Sequence, residues 1–176
     1  MAVSLDATVA GASANSYLTQ AEGTTFLEDS RLYVTDWTDA SSDDKDRALI
    51  WATYILDRYM EWDGFKRTRE QALRWPRSGA FDADGESINF DIIPELLKQG
   101  AADLALELLK EDRLVDPEIL GLGIDKAKVG PLSIEVNDSE VKGYIPDYVL
   151  ANLASLGSLG GHASRGGGKS VPVERT

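Results

Sequence analysis

The longest amphipathic stretch of the chain, residues 41–61, reads SSDDKDRALIWATYILDRYME. Its apolar residues recur at intervals of three and four, as they do on one face of a helix. They are Ala48, Leu49, Trp51, Ala52, Ile55, Leu56, Tyr59 and Met60. Ser41 can cap such a helix, and the carboxylates of Asp43 and Asp44 suit the positive end of its macrodipole. The pattern therefore predicts a helix over residues 42–61.

A second apolar stripe follows Pro94, and proline is favoured at the first position of a helix. The stripe consists of Leu96, Leu97, Ala101, Leu104, Ala105, Leu108 and Leu109. It predicts a helix that ends near Arg113. Because each of the two helices has one wide apolar face, we expect them to pack on each other. The sequence thus predicts a mainly α fold, built as a small helical bundle.

Three shorter helices are predicted around this pair. Thr19 and Glu22 form a capping box, in which each side chain satisfies a free backbone N–H, ahead of a helix over residues 20–30. A helix over residues 68–75 would end at the proline that follows it. The last helix, over residues 146–156, would turn four side chains inward. These are Tyr148, Val149, Leu153 and Leu156.

Strand patterns are few. Residues 124–136 predict a β-hairpin around Gly130-Pro131, because apolar and polar residues alternate in its second half. Residues 3–9 predict one short strand. From Gly157 onward the chain is rich in glycine and poor in apolar residues, which is typical of a flexible arm. We therefore expect one helical domain over residues 1–156, including the hairpin, and a C-terminal arm over residues 157–176.

The composition limits the class of protein. A chain of 176 residues with 43% hydrophobic residues suits one folded domain. It has no cysteine, which excludes disulfides and thiolate metal sites and favours a reducing compartment. No segment approaches the ~18 apolar residues of a membrane span, and the first ten residues lack the pattern of a signal peptide. We expect a soluble protein that is not exported by a standard route.

The charge is strongly acidic and unevenly spread. The formal net charge is -12, from 30 acidic and 18 basic residues, and such a charge opposes general binding to nucleic-acid phosphates. Residues 61–80 are the exception, with five basic and three acidic groups, so that they are net +2 and the remainder is net -14. This distribution suits contact between neighbouring copies, basic loop to acidic face, although a solvated loop explains it about as well.

The sequence contains no pattern that predicts an enzyme, a cofactor site or a metal site. Residues 166–170 resemble part of a nucleotide-binding loop, but Ala163 stands where the first glycine is required. Residues 82–86 match a calcium loop only in part, because the terminal glutamate is missing at the required spacing. The single histidine, His162, lies in the predicted arm, so no base is fixed beside a serine nucleophile.

Two tryptophans and two arginines could form a binding surface, namely Trp62, Trp75, Arg74 and Arg77. Exposed aromatic rings beside arginines can stack on the bases of single-stranded DNA. Alternatively, both tryptophans cover the end of the long helical pair, and the aliphatic stems of the arginines pack along them. We favour the second interpretation.

The same region resembles a known family. The residues that carry the likeness are Trp62, Gly64, Lys66, Gln71, Leu73, Arg74, Trp75, Pro76 and Arg77, followed by Gly85, Ile93 and Pro94. Over about residues 15–113 the chain resembles phage proteins encoded among head and neck genes. Those proteins are described as head-tail connectors or adaptors, and also as DnaT-like single-stranded-DNA-binding proteins.

The resemblance implies a non-enzymatic adaptor subunit of the virion neck, present in the host cytoplasm during assembly. It implies a ring of about twelve copies that docks on the portal protein and links it to a tail or tail-completion protein. Genomic DNA would pass through the ring without sequence-specific binding, and no membrane is involved. The alternatives are a single-stranded-DNA-binding replication accessory and a head-assembly factor that is absent from the finished particle.

Two sets of residues are expected to make the contacts of such an adaptor. The signature residues between Trp62 and Arg77 would face an acidic neighbouring subunit. Either the hairpin or the arm would reach the portal or tail by strand addition or by filling a groove. The arm residues proposed for that contact are Arg165, Lys169, Val171 and Val173.

Overall fold

The computed structural model describes residues 3–111, 113 and 143–160, together with the backbone of two strands at 126–129 and 132–135. The described helices are α1 (Gln20–Ser30), α2 (Thr35–Asp39), α3 (Ser42–Tyr59), α4 (Glu95–Lys110) and α5 (Asp147–Leu153). The described strands are β1 (Met60–Trp62), β2 (Phe65–Lys66), β3 (Arg77–Ser78), β4 (Lys126–Val129), β5 (Leu132–Glu135) and β6 (Gly157–Leu159). The strands form antiparallel pairs, β1 with β6, β2 with β3 and β4 with β5. The described part is therefore partly helical, with small antiparallel sheets.

The two long helices, α3 and α4, are confirmed and pack on each other. Leu49, Ile55 and Leu56 of α3 and Leu97 and Leu104 of α4 are fully buried. Their apolar stripes reach the surface at Trp51 and Leu96, which are exposed by 38% and 37% although the periodicity predicted them on the packed faces. None of the described helices has the length and apolar character that a membrane span requires.

The ends of the long helices differ from the predictions by a few residues. Helix α3 ends at Tyr59, because the next three residues form β1 and pair with β6. Pro94 precedes α4 as its N-cap, with an extended ψ of 141°, instead of being its first helical residue. The helix ends at Lys110, short of the expected Arg113.

Helix α1 has the predicted bounds and the predicted capping box. The N–H of Thr19 donates to the Glu22 carboxylate at 2.7 Å, and the N–H of Glu22 donates to the Thr19 hydroxyl at 3.2 Å. The same carboxylate accepts from the ammonium of Lys98 on α4 at 2.5 Å. The cap therefore also joins α1 to the helical pair.

The segment around Trp37, which the sequence placed in a linker, contains helix α2. Trp37 is fully buried and its indole N–H donates to the Thr24 hydroxyl at 3.2 Å. A helix of five residues has too few positions to show a period, so burial of the indole against α4 decides its structure.

The predicted helix over residues 68–75 is wrong, and these residues run as successive bends. Partners distant in the sequence take N–H groups that a helix would direct to its own carbonyls. The N–H of Ala72 donates to the carbonyl of Gly11 at 3.0 Å, and the N–H of Arg74 donates to Asp57 at 3.0 Å. Thr68 and Gln71 bond to each other as in a capping box, but these contacts with other parts of the chain replace the helical hydrogen-bond ladder.

The predicted strand over residues 3–9 is also wrong, since this part of the chain is a loop. Asn15 supplies the partners that a neighbouring strand would have supplied. Its side-chain oxygen accepts from the N–H of Asp6 at 2.8 Å, and its side-chain nitrogen donates to the carbonyl of Ser4 at 2.9 Å.

The C-terminal elements follow the sequence in part. The strands of the predicted hairpin pair from Lys126↔Glu135 to Val129↔Leu132. Helix α5 buries Val149 and Leu153 as predicted, and Leu156 is buried after it. Tyr148 was also expected inside, but it is 38% exposed, and the Arg31 guanidinium lies 4.9 Å from its ring centroid.

The fold continues beyond residue 156, the boundary that the sequence indicated. Residues 157–159 form β6, in register with β1 through Trp62↔Gly157 and Met60↔Leu159. A Cβ at Gly157 would lie 2.4 Å from the carbonyl oxygen of Glu61, so this glycine permits close approach of two backbones. The rest of the predicted arm, with Arg165, Lys169, Val171 and Val173, lies outside the described residues.

Candidate functional site

The two tryptophans of the signature belong to the core. Trp62 and Trp75 are exposed by 7% and 1%, and their rings meet edge to face with centroids 6.1 Å apart. Neither ring offers a free face on which an unpaired base could stack. The interpretation that they are packing residues is confirmed, and stacking of bases on these two rings is wrong.

Gln71 holds the middle of the loop between β2 and β3. Its side chain is buried and donates to the carbonyls of Leu73 at 2.9 Å and Pro76 at 3.1 Å. Its side-chain oxygen accepts from the N–H of Thr68 at 2.9 Å, and its backbone carbonyl accepts from the Lys66 ammonium at 2.9 Å. A buried amide with both ends satisfied fixes the backbone around it, because loss of either partner leaves a buried polar group unpaired.

Arg77 fixes the turn between β1 and β2. Its guanidinium donates to the carbonyls of Trp62 and Arg74, each at 3.2 Å, and also to those of Asp63 and Gly64. Partial burial lowers the pKa of Arg77, but a guanidinium keeps its charge in proteins. This arginine is therefore engaged within the subunit.

Tyr17, which precedes α1, and Asp57 on α3 anchor the same loop. The Tyr17 hydroxyl donates to the Asp57 carboxylate, which also accepts from the backbone N–H of Arg74. Burial raises the pKa of Asp57, and the two hydrogen bonds partly offset that effect. Burial and the adjacent carboxylate raise the pKa of Tyr17 well above its usual value. Both groups serve to attach the loop to α3.

The signature residues thus divide into two groups. Trp62, Gln71, Trp75 and Pro76 are buried within the subunit, and sequence reasoning assigned the two tryptophans to the core but did not predict the burial of Gln71 and Pro76. The expected contact with a neighbouring subunit therefore depends on exposed side chains. The aromatic and cationic ones on this part of the surface are Phe65, Lys66, Arg67, Arg69 and Arg74, with Glu70 also exposed among them, and we name these five residues the basic loop.

The basic loop presents both aromatic and cationic groups. Phe65 on β2 is 78% exposed. The Arg67 guanidinium forms an ion pair with Asp91 at 2.7 Å and lies 5.8 Å from the ring centroid of Phe90, which is 51% exposed. Among the described residues, no ion pair involves Arg69. Exposed rings beside cations are suited to contact with another macromolecule.

A second surface lies between α2, α3 and α4, and we name it the acidic groove. It has a volume of about 600 Å³. Its lining residues are Asp36, Asp39, Ala40, Asp44, Arg47, Ala48, Trp51, Leu108 and Leu109. The sequence did not predict this groove, because it depends on α2 and on the exposure of Trp51.

The charges of the acidic groove are only partly neutralised. Arg47 pairs with Asp44 at 2.7 Å and with Asp43 at 3.7 Å. In the described part of the chain, Asp36 and Asp39 form no ion pair. The apolar part of the groove includes Trp51, whose ring stacks on that of Tyr54 with centroids 5.0 Å apart. The groove suits an occupant that is apolar at its centre and cationic at its edge.

Within the ranges that the structure describes, no three histidine, cysteine or acidic side chains are grouped so that they could hold a metal ion. The features found at the surface are an aromatic and basic loop and an acidic, partly apolar groove.

Comparison with known proteins gives one result. A family model described as "Putative DnaT-like ssDNA binding protein" matches residues 1–176. A search of curated proteins finds no match, and neither does a search of solved structures.

Proposed function

We propose that this chain, which belongs to the DnaT-like ssDNA-binding protein family over residues 1–176, is a structural head-to-tail adaptor subunit of a phage neck. In this proposal a small helical bundle assembles as a ring of about twelve copies. The ring docks on the portal protein and joins it to a tail or tail-completion protein. The likeness of its signature residues to phage head and neck proteins supports this assignment.

The observation that carries the proposal is the pair of unlike surfaces on one subunit. The basic loop places an exposed phenylalanine among cations, and the acidic groove places carboxylates around apolar side chains. A chain that assembles head to tail with copies of itself into a ring needs two such complementary surfaces. The remaining acidic charge suits the lumen of a conduit, because a negative wall does not retain passing DNA.

The order within the basic loop also supports a binding function. Gln71 and Arg77 fix its backbone through hydrogen bonds to carbonyl groups, and Asp57 attaches it to α3. A loop that is already ordered loses less conformational entropy when it binds a partner. The energy of these internal bonds therefore contributes indirectly to assembly.

Binding to the portal protein tests the proposal. The full chain should bind the portal ring in co-sedimentation, and a variant that lacks residues 161–176 should fold normally but bind more weakly. Unchanged binding by the shortened variant would indicate that the hairpin, and not the arm, contacts the portal. Absence of binding by the full chain would contradict the adaptor function.

A second candidate function is binding of single-stranded DNA in replication. The printed description of the family and the exposed rings of Phe65 and Phe90 beside Arg67 favour it. The net charge of -12 opposes it. We favour the adaptor function and therefore expect the chain to bind unpaired DNA only weakly.

Filter binding at low salt separates the two candidates. A DNA-binding function predicts submicromolar, salt-sensitive affinity that is lost in the Phe65→Ala and Arg69→Ala variants. Tyr33→Ala is the matched control, because Tyr33 is 83% exposed and lies outside the basic loop. If only the loop variants lose a tight interaction, the DNA-binding candidate replaces the adaptor.

Mass spectrometry of purified particles tests the remaining alternative, a head-assembly factor. An adaptor remains in the particle in a fixed number of copies, whereas a head-assembly factor is absent from it.

A further inference from the structure

The basic loop and the acidic groove lie toward opposite ends of α3. The groove is lined by Asp44, Ala48 and Trp51 from the first half of the helix. The loop follows β1, which begins where α3 ends, and Arg74 is bonded to Asp57 near that end. From Asp44 to Asp57 the helix rises about 20 Å, and from Trp51 to Asp57 about 9 Å, at 1.5 Å per residue. Phe65 is 78% exposed and does not line the groove, so one subunit does not place its own fixed loop in its own groove.

The chemistry of each surface is complementary to that of the other. Phe65 is 78% exposed, and an apolar ring so exposed is stabilised when a partner covers it. The groove offers Trp51, Leu108 and Leu109 as apolar contacts and about 600 Å³ of space, which exceeds the volume of a phenylalanine side chain. The carboxylates of Asp36 and Asp39 stand at its edge.

From this arrangement we infer that the acidic groove of one copy receives the basic loop of a second copy. Phe65 enters the groove beside Trp51, and Arg69 of the loop faces Asp36 and Asp39 of the neighbour. The inference rests on the proposed ring and specifies the interface through which it forms. The contact joins two different surfaces, so a pair of copies still has one free loop and one free groove, and repetition gives a closed ring or a filament.

The oligomeric state of charge-reversed variants tests this interface. Arg69→Glu and Asp39→Lys should each raise the dissociation constant between copies by about tenfold or more. The variant that carries both changes should recover much of the loss, because the reversed charges face each other again. Sedimentation velocity of the full chain at low salt measures all three, and far-ultraviolet circular dichroism checks their folding.

Matched controls separate the interface from the overall charge. Arg58→Glu and Asp29→Lys make the same charge changes at exposed residues outside both surfaces. They should leave association within about twofold of the original chain, since exposed charges outside an interface contribute little. Equal losses in the controls, or no recovery in the double variant, would overturn the inference.

Disulfide trapping gives an independent test, because the chain has no cysteine of its own. A variant with both Phe65→Cys and Asp39→Cys should form covalent dimers, trimers and larger products on oxidation. Either single variant can only form dimers, since each copy then has one thiol. If the double variant also stops at dimers, or forms only an internal bond, the two surfaces do not meet between copies.

Repeating these experiments on the same variants in the presence of the portal protein distinguishes failure of this inference from failure of the proposed function. If rings persist in every variant and no disulfide forms between copies, this interface is contradicted, but the adaptor function is not. A chain that stays monomeric, alone and with the portal protein, would contradict both.

Discussion

Gly64 and Gly85 have the same backbone conformation in different surroundings. Their φ angles are +71° and +81°, a region that side chains other than glycine rarely adopt. A Cβ at Gly64 would lie 2.3 Å from the carbonyl oxygen of Ser78, whereas a Cβ at Gly85 would meet nothing within 4 Å. Gly64 lies in the turn between β1 and β2, and Gly85 lies in the turn between Phe81 and Ser87, so the two positions separate backbone strain from steric conflict.

We predict that Gly64→Ala destabilises the protein more than Gly85→Ala does. Strain alone should lower the free energy of unfolding by about 1–2 kcal/mol in Gly85→Ala. The clash with Ser78 should add a further 1–3 kcal/mol or so in Gly64→Ala, as overpacking does in a core. Urea denaturation measures both values, and equal losses would show that the turn between β1 and β2 relaxes freely.

Asp57 makes stability depend on pH in a defined direction. Burial raises its pKa above the unfolded value of about 3.9. Between these two pKa values the folded state binds more protons than the unfolded state, so the free energy of unfolding falls as pH rises. The contribution of the protonated carboxyl is complete below the unfolded pKa and is lost as pH rises through the folded pKa.

Replacing Asp57 by asparagine should remove this dependence. The prediction concerns the stability of the original chain minus that of Asp57→Asn, measured by urea denaturation from pH 4 to pH 7. That difference should decrease steadily with pH, because the other carboxyl groups are common to both chains. A constant difference would mean that the folded and unfolded pKa values of Asp57 are equal.

Among the helices and strands, the sequence predicted the helices that have recurring apolar positions or capping residues. It missed the elements that depend on a single long-range contact. Helices α1, α3 and α4 follow from capping residues and from apolar positions that recur over several turns. Helix α2 has only five residues, and its structure depends on the burial of Trp37. No local pattern carries that information.

The loop between β2 and β3 shows the same limit at the candidate site. The proline after Trp75 suggested that a helix ends there, but the Gly11 carbonyl and the Asp57 carboxylate accept from the N–H groups of Ala72 and Arg74, which the helix needed. Asp57 is distant in sequence from Arg74, so its effect could not be predicted locally. The signature could therefore be found from the sequence and its two tryptophans assigned to the core, whereas the burial of Gln71 could not be predicted.

Strand β6 provides a prediction about the length of the folded unit. Leu159 packs against the core, and the N–H of Gly160 donates to the Tyr59 carbonyl at 2.7 Å. A chain that ends at residue 160 should retain the stability of the full chain. A chain that ends at residue 156 should lose roughly 2–4 kcal/mol, from the uncovered apolar surface and the lost backbone bonds.

Thermal unfolding of the two shortened chains checks this expectation. If only the chain that ends at residue 156 has a lower melting temperature, the boundary of the domain lies after β6. If both shortened chains matched the full chain, the pairing of β6 with β1 would contribute nothing to stability.

For the whole molecule, the described features point to contact between macromolecules. The core is built by α3 and α4, the signature residues order a loop at one end of α3, and the acidic groove lies toward the other end. A subunit with unlike surfaces toward its two ends can repeat around an axis. The family also bears a name that refers to unpaired DNA, so the decisive observation is where the protein resides when its function is complete.

Electron cryomicroscopy of the neck of purified particles makes that observation directly. The adaptor proposal predicts density for this chain as a ring on the portal axis, with the basic loop of each copy in the acidic groove of the next. A neck in which that position is filled by other proteins alone, with this chain missing from the particle, would contradict it.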